Sequence, residues 1–107
     1  KISNANEVFH KMGPFVFFPN RRIMALDGHM DIELTEKEAN ILKCLINSGN
    51  EPIGKEELLK QVWNYNSDVT THTLETHIYR LRQKLEINST IPRLIISKSG
   101  GFKLSSH

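Results

Sequence analysis

Apolar residues recur at helical spacing between residues 70 and 86, where the pattern is clearer than anywhere else in the chain. At 3.6 residues per turn, one narrow face is formed by Leu74, Ile78, Leu81 and Leu85. Polar side chains repeat the same spacing on the opposite face, at His72, Thr76, Tyr79 and Gln83. The pattern predicts an amphipathic helix over residues 71–85, anchored on one side and free to bind on the other.

Helix signals also precede this segment. Thr35 can cap free backbone N–H groups, and Glu38 is placed to complete a capping box. The apolar face that follows comprises Ala39, Ile41, Leu42, Leu45 and Ile46, and Gly49 is placed to end the helix. A shorter helix is expected from about Lys55 to Trp63, where Leu58, Leu59 and Val62 would be buried.

Short apolar runs indicate strands at both ends of the chain. Residues 15–18, 22–26 and 30–34 are candidate strands, and Asp27-Gly28 is a strong hairpin signal. Near the C-terminus, residues 94–97 and 102–104 flank a turn at Lys98-Ser99-Gly100-Gly101. Residues 1–12 show neither period and are expected to be a linker or loose end.

The predicted order is therefore a sheet, three helices and a terminal hairpin. We predict an α+β fold: a winged helix-turn-helix with an N-terminal antiparallel sheet, a three-helix bundle and a C-terminal β-hairpin wing. A chain of 107 residues is long enough for one such domain, which we assign to residues 13–107.

Composition excludes several classes of protein. The lone cysteine, Cys44, rules out an internal disulfide and fits a reducing compartment, so we expect a cytoplasmic protein. The sequence has no apolar run long enough to cross a bilayer and no signal peptide. It starts at Lys1, and we expect a fragment of a longer protein, although a trimmed tag would leave the same trace.

Positive charge is concentrated towards the C-terminus. Residues 1–68 carry 8 Lys/Arg and 10 Asp/Glu, a balance of −2, whereas residues 69–107 carry 6 and 2, a balance of +4. This asymmetry favours a polyanionic partner for the helix at 71–85 and the hairpin after it. By charge alone, a solvated basic surface is an equally good explanation.

Four motifs give the chain a resemblance to a known family: LTEKEANILKCL, GKEELLKQVW, LETHIYRLRQKLE and GGFKL. Together they resemble the effector domain of OmpR/PhoB-type response regulators, over about Phe15 to Leu104. The resemblance implies a bacterial, two-component transcription factor that binds double-stranded DNA. It further implies a receiver domain before residue 1, and two copies on tandem half-sites about one helical turn apart for a domain that is monomeric alone.

The resemblance also implies roles for individual residues. Base-reading positions fall on His72, Thr76, Tyr79 and Arg80. Phosphate contacts would come from Trp63, Thr73, His77 and Arg82, and we add the flanking cation Lys84. Lys98 would enter the minor groove from the wing. The position from which family members touch RNA polymerase corresponds to Asn64, Tyr65, Asn66, Ser67 and Asp68.

The chain departs from the family pattern at several of these positions. The position of His72 is commonly Arg, and Glu75 replaces the usual Asp. In the wing, Lys98 replaces Arg and Ser99 replaces Gly. These substitutions bear on base preference and on the minor-groove contact more than on DNA binding itself.

Two positions keep alternative interpretations. Arg82 flanks the apolar face, so it can either contact phosphate or pair with an acid from a neighbouring helix. Lys98 is either a solvated turn charge or a nucleic-acid contact. Gly100-Gly101 beside it permits close approach of the backbone to a ligand and favours the contact.

Other function classes receive less support. A winged helix that grips a protein instead of DNA is the main alternative. An enzyme is not expected, because no nucleophile–base spacing or phosphate-cradling loop is present. The five histidines lack the ligand spacing of a zinc site, so we expect no metal and no cofactor.

Overall fold

A computed structural model of the chain describes residues 7–64 and 68–105. Within these residues the fold begins with an antiparallel sheet in the order β1 (His10–Met12), β2 (Phe15–Phe18), β3 (Ile23–Leu26) and β4 (Ile32–Glu33). The helices are α1 (Glu36–Ser48), α2 (Lys55–Trp63) and α3 (Thr71–Leu85). A second antiparallel sheet has the order β5 (Ile53–Gly54), β7 (Gly101–Leu104) and β6 (Ile95–Lys98). The predicted winged-helix architecture is confirmed.

The start and end of α1 follow from its own sequence. The Glu38 backbone N–H donates to Thr35 Oγ1 over 3.1 Å, and the Thr35 N–H donates to Glu38 Oε1 over 2.9 Å. This reciprocal pair is the predicted capping box. Gly49 ends the helix with a φ of +65°, a conformation that glycine adopts without steric penalty.

The core joins the helices to the N-terminal sheet. From the sheet, Phe17 and Met24 are fully buried. The fully buried helical side chains include Leu42, Leu45, Leu58, Leu74, Ile78 and Leu81. The predicted apolar face of α3 is therefore confirmed, because its four members are between 0% and 5% exposed. This burial fixes α3 with its polar face outward.

Two short strands have no signal in the sequence. β1 lies in the segment expected to be loose, yet it pairs with β2 and buries Met12 to 4% exposure. β5 is a two-residue strand that pairs with β7 just before α2. Strands of two or three residues are too short to show a period, so only their pairing defines them, β1 with the adjacent β2 and β5 with the distant β7.

The third predicted strand is shorter than its apolar pattern suggested. β4 covers Ile32–Glu33, and its register pairs Met24 with Ile32 and Ile23 with Glu33. Met30 therefore lies outside the paired strand, and it is 89% exposed. The alternation at Met30, Ile32 and Leu34 overestimated the strand because the Asp27-Gly28 turn extends past its two central residues.

Gly101 is required by the fold. A Cβ at this position would lie 2.1 Å from the Ile53 carbonyl oxygen, because β5 and β7 approach closely there. The glycine at position 101 is therefore explained by the packing of β5 against β7, and a ligand contact there stays a prediction. Gly100, by contrast, has open space around it and a φ of +78°.

Gly101→Ala should lower the free energy of unfolding by about 1–3 kcal/mol, because β5 and β7 must separate to admit the methyl group. Urea denaturation of the domain measures this change. Gly54→Ser is the matched control, since a Cβ there meets nothing within 4 Å and serine is a good N-cap for α2. Equal stability of Gly101→Ala and the wild type would contradict the proposed crowding.

Candidate nucleic-acid interface

The outer face of α3 is open to solvent. Tyr79 is 58% exposed, and the side chains of His72, Arg80 and Gln83 are also exposed. Thr76 is half-buried between them. The predicted base-reading residues are thus presented together, on a helix about 22 Å long. These side chains are neither packed inward nor covered by another element of the described chain.

Hydrogen bonds along α3 orient two of these side chains. The Thr76 hydroxyl donates to the His72 carbonyl over 3.0 Å, one turn back. The Gln83 amide donates to the Tyr79 hydroxyl oxygen over 2.9 Å. The Tyr79 O–H therefore remains a donor, and Gln83, which we did not assign a site role, helps to position the ring.

Trp63, Thr73 and His77 meet at one flank of this face. The His77 ring lies edge-on to Trp63, with centroids 4.9 Å apart and an interplanar angle of 76°. His77 Nδ1 is 2.8 Å from the Thr73 carbonyl oxygen. Because a carbonyl only accepts, Nδ1 carries the proton and the other ring nitrogen, Nε2, is left for a partner.

Arg82 binds the wing, which is the hairpin formed by β6 and β7. Its Nε and Nη2 donate to the Ile95 carbonyl over 3.1 and 2.8 Å, and Nη2 also donates to Ser97 Oγ over 3.0 Å. The guanidinium carbon lies 5.6 Å from the centroid of Phe102. Burial lowers the pKa of Arg82, and the nearby Glu86 carboxylate partly opposes this.

These contacts show a structural role for Arg82, and its phosphate contact stays a prediction. The partner differs from the one expected, because the guanidinium binds a strand carbonyl and not an acid from a neighbouring helix. Two donors on one rigid fork hold β6 at a fixed angle to α3. Arg82 therefore sets the position of the wing relative to the exposed face.

Lys84 is also engaged within the fold. Its Nζ lies 2.6 Å from Glu38 Oε1 and 3.0 Å from the Glu33 carbonyl oxygen. Glu38 is only 2% exposed, so Lys84 neutralises a buried carboxylate that also caps α1. This geometry ties the end of α3 to the start of α1 and argues against Lys84 as a phosphate contact.

The wing presents Lys98 at its tip. Ser99 and Gly100 both have positive φ, at 55° and 78°, which is the pattern of a type I′ turn between antiparallel strands. Lys98 is exposed and pairs through its backbone with Gly101. The Lys98 side chain is therefore accessible to solvent, as is the outer face of α3.

The loop after α2 is described only at its ends. Asn64 and Asp68 are exposed, and Asn64 has a φ of 74°. Tyr65, Asn66 and Ser67, the centre of the segment assigned to RNA polymerase contact, lie outside the described residues.

A few features bear on other chemistry. Cys44 is half-buried and its pKa is raised by burial, as suits a small core residue. Among residues 7–64 and 68–105, no three side chains of His, Cys, Asp or Glu are grouped to hold a metal ion. The described helices include none that is long and apolar enough to span a membrane.

Comparison with known proteins assigns the fold to a family. A family model described as "Transcriptional regulatory protein, C terminal" matches residues 29–104, which is most of the chain. The chain belongs to this family. The match covers the helices and the wing, and family membership confirms that this transcriptional-regulator domain is not an enzyme.

Relatives of the transcriptional-regulator domain are full-length regulators. It is 35% identical over 83 residues to the DNA-binding dual master transcriptional regulator RpaA of Synechocystis, covering 78% of this chain and 34% of RpaA. It is 37% identical over 68 residues to the response regulator SaeR of Staphylococcus aureus, covering 64% of this chain and 29% of SaeR. The domain thus spans about a third of these relatives.

Solved structures share its architecture. The response regulator DrrB, a Thermotoga maritima OmpR/PhoB homologue, superposes with a TM-score of 0.79 at 26% identity, over 91% of this chain and 44% of DrrB. The RstA DNA-binding domain of Klebsiella pneumoniae, solved with the RstA box, gives a TM-score of 0.77 at 24% identity over 92% and 98%. The fold is that of OmpR/PhoB-type winged helices.

Arg82→Ala should lower the free energy of unfolding by about 2 kcal/mol, because the Ile95 carbonyl loses both charge-assisted donors. Arg80→Ala, on the exposed face of the same helix, should change it by less than about 0.5 kcal/mol. Chemical denaturation compares the two variants. If both variants unfold at the same denaturant concentration, Arg82 does not tether the wing.

Proposed function

We propose that this domain is the effector domain of a bacterial response regulator and binds double-stranded DNA sequence-specifically. In this proposal α3 docks in the major groove and the wing reaches the adjacent minor groove. The observation that carries it is the joint exposure of the α3 face and of Lys98, on parts of the molecule that Arg82 holds together. Family membership and relatives that are named transcriptional regulators support the same function.

The side chains on α3 have distinct tasks in base reading. Arg80 is suited to donate to O6 and N7 of a guanine, the commonest specific contact in the major groove. His72 can donate to a guanine or to a phosphate, and Thr76 can contact a thymine methyl group or a base edge. Tyr79 is suited to pack on a sugar or to donate its free O–H to a phosphate.

Phosphate contacts position the domain without reading sequence. We assign them to the flank where Trp63, Thr73 and His77 adjoin, with Lys98 reaching the minor groove from the wing. We assign Arg82 and Lys84 to the fold instead, because their charged groups already hold the wing and the start of α1.

The rest of the protein is inferred from its relatives. We propose a receiver domain that precedes residue 1 and controls the effector domain in the bacterial cytoplasm. A domain that is monomeric alone would occupy tandem half-sites as a dimer, about one helical turn apart. The segment Asn64 to Asp68, comprising Asn64, Tyr65, Asn66, Ser67 and Asp68, would contact RNA polymerase.

Arg80→Ala should remove discrimination at one base pair of the preferred site, because only that pair loses its bidentate partner. The expected loss of discrimination is about 1–3 kcal/mol, or roughly 10- to 100-fold in relative affinity. The site is first selected from a random duplex pool, and affinities for its single-base variants are then compared by mobility shift. An unchanged preference at every position would contradict the role of Arg80.

Lys98→Ala should weaken binding to every duplex by a similar factor. The logarithm of affinity plotted against the logarithm of salt concentration should lose about one unit of slope, because one phosphate-neutralising cation is gone. Lys103→Ala, elsewhere on the same hairpin, is the control. If the salt slope of Lys98→Ala equals that of the wild type, Lys98 does not contact DNA and is only a solvated charge in the turn.

The same measurements address the alternative of a protein-binding winged helix. Phosphate contacts release counterions, so DNA affinity falls steeply with salt, whereas a module devoted to a protein partner selects no duplex from the random pool. Failure to enrich any sequence would therefore reject the DNA-binding proposal.

A further inference from the structure

Several cations near α3 already have partners inside the domain. Lys84 is paired with Glu38, and Arg82 donates to the wing. Lys55 pairs with Glu75 over 3.0 Å, linking the start of α2 to α3. These side chains contribute to the net charge but not to a free binding surface. Cations on the neighbouring elements are therefore further candidates for contact with a DNA backbone.

Lys37, in the first turn of α1, is such a cation. Its Nζ lies 5.5 Å from the centroid of the Trp63 ring and 3.4 Å from the Val62 carbonyl oxygen. Within residues 7–64 and 68–105 it forms no ion pair with a carboxylate. An ammonium has three donors, and the one long bond to Val62 leaves the others available.

Trp63 lies between Lys37 of α1 and His77 of α3 and contacts both. Lys37 Nζ lies near the indole ring, and the His77 ring packs against the same indole at a steep angle. Side chains from α1, α2 and α3 therefore adjoin at one place.

An open groove runs from Lys37 and His77 to the base-reading face. Its lining includes Lys37 and His77 together with Arg80 and Gln83. The acids along it are Glu38, which Lys84 neutralises, and Glu36, which is exposed and screened by solvent. Lys37 and Arg80 together leave the groove with a surplus of positive charge.

We propose that Lys37 is a further DNA-backbone residue, and that its ammonium binds one phosphodiester group at the groove between α1 and α3, beside Trp63 and His77. The Lys37 ammonium supplies both the positive charge and the hydrogen-bond donors for the phosphate oxygens. This inference rests on the proposed DNA-binding function and extends the contact surface from α3 to α1. The site neutralises backbone charge and has no base to read, so it acts alike on all sequences.

Lys37→Gln tests the site, because it removes the charge and keeps a polar side chain of similar reach. The affinities of the domain for its selected duplex and for a scrambled duplex are measured over a series of salt concentrations. We expect Lys37→Gln to weaken both duplexes by the same factor and to reduce the salt slope by about one unit. Lys37→Arg should restore the slope, since it restores the charge.

Lys43→Gln is the matched control. Lys43 is exposed on the same helix, six residues further on, and therefore points away from Trp63. The Lys43→Gln substitution removes the same charge from the domain as Lys37→Gln. An effect of net charge alone on the salt slope would therefore appear in both variants. We expect the salt slope of Lys43→Gln to equal that of the wild type.

A salt slope of Lys37→Gln equal to that of the wild type would overturn the site, even if thermal stability falls, because Lys37 would then only cap the end of α2. Arg80→Ala keeps the two proposals separate. If it still abolishes discrimination at one base pair, DNA binding by α3 stands without the Lys37 site. If the wild-type domain binds no duplex, the proposed function fails first.

Discussion

A half-buried guanidinium joins α3 to the wing, and the arrangement of the candidate interface depends on it. Arg82 donates twice to the Ile95 carbonyl and once to Ser97, while its planar group lies over Phe102. A lysine has a single point charge and cannot reproduce this fork. Arg82 therefore links the helix that carries the exposed face to the strand that leads to the tip of the wing.

The positively charged side chains of α3 differ in their surroundings, although they carry the same charge. Arg80 projects into solvent, whereas Lys84, one turn further on, neutralises a carboxylate that is 2% exposed. An unpaired Glu38 would be costly to bury, so the fold commits Lys84 to it. The net positive charge of the C-terminal residues is therefore larger than the charge that is free to bind a partner. Cations on other helices, such as Lys37, can supply the remainder.

Much of the fold was predictable because its signals are local. Thr35 and Glu38 define a capping box four residues long, and Gly49 marks the end of the same helix. The apolar face of α3 was equally plain. β1 and β5 were missed because strands of two or three residues show no period, and β5 is defined only by pairing with a strand about 50 residues away. The extent of the strand at Met30 was overestimated for the related reason that alternation does not reveal where pairing stops.

By itself, the sequence determined which side chains of α3 point outward, because helical geometry sorts residues by spacing alone. His72, Thr76, Tyr79 and Arg80 follow from that rule. Tertiary structure alone decided what the flanking cations do: Arg82 meets a carbonyl 13 residues away, and Lys84 meets a carboxylate 46 residues away. Periodicity describes one helix, whereas the partner of a long charged side chain depends on which distant elements pack beside it.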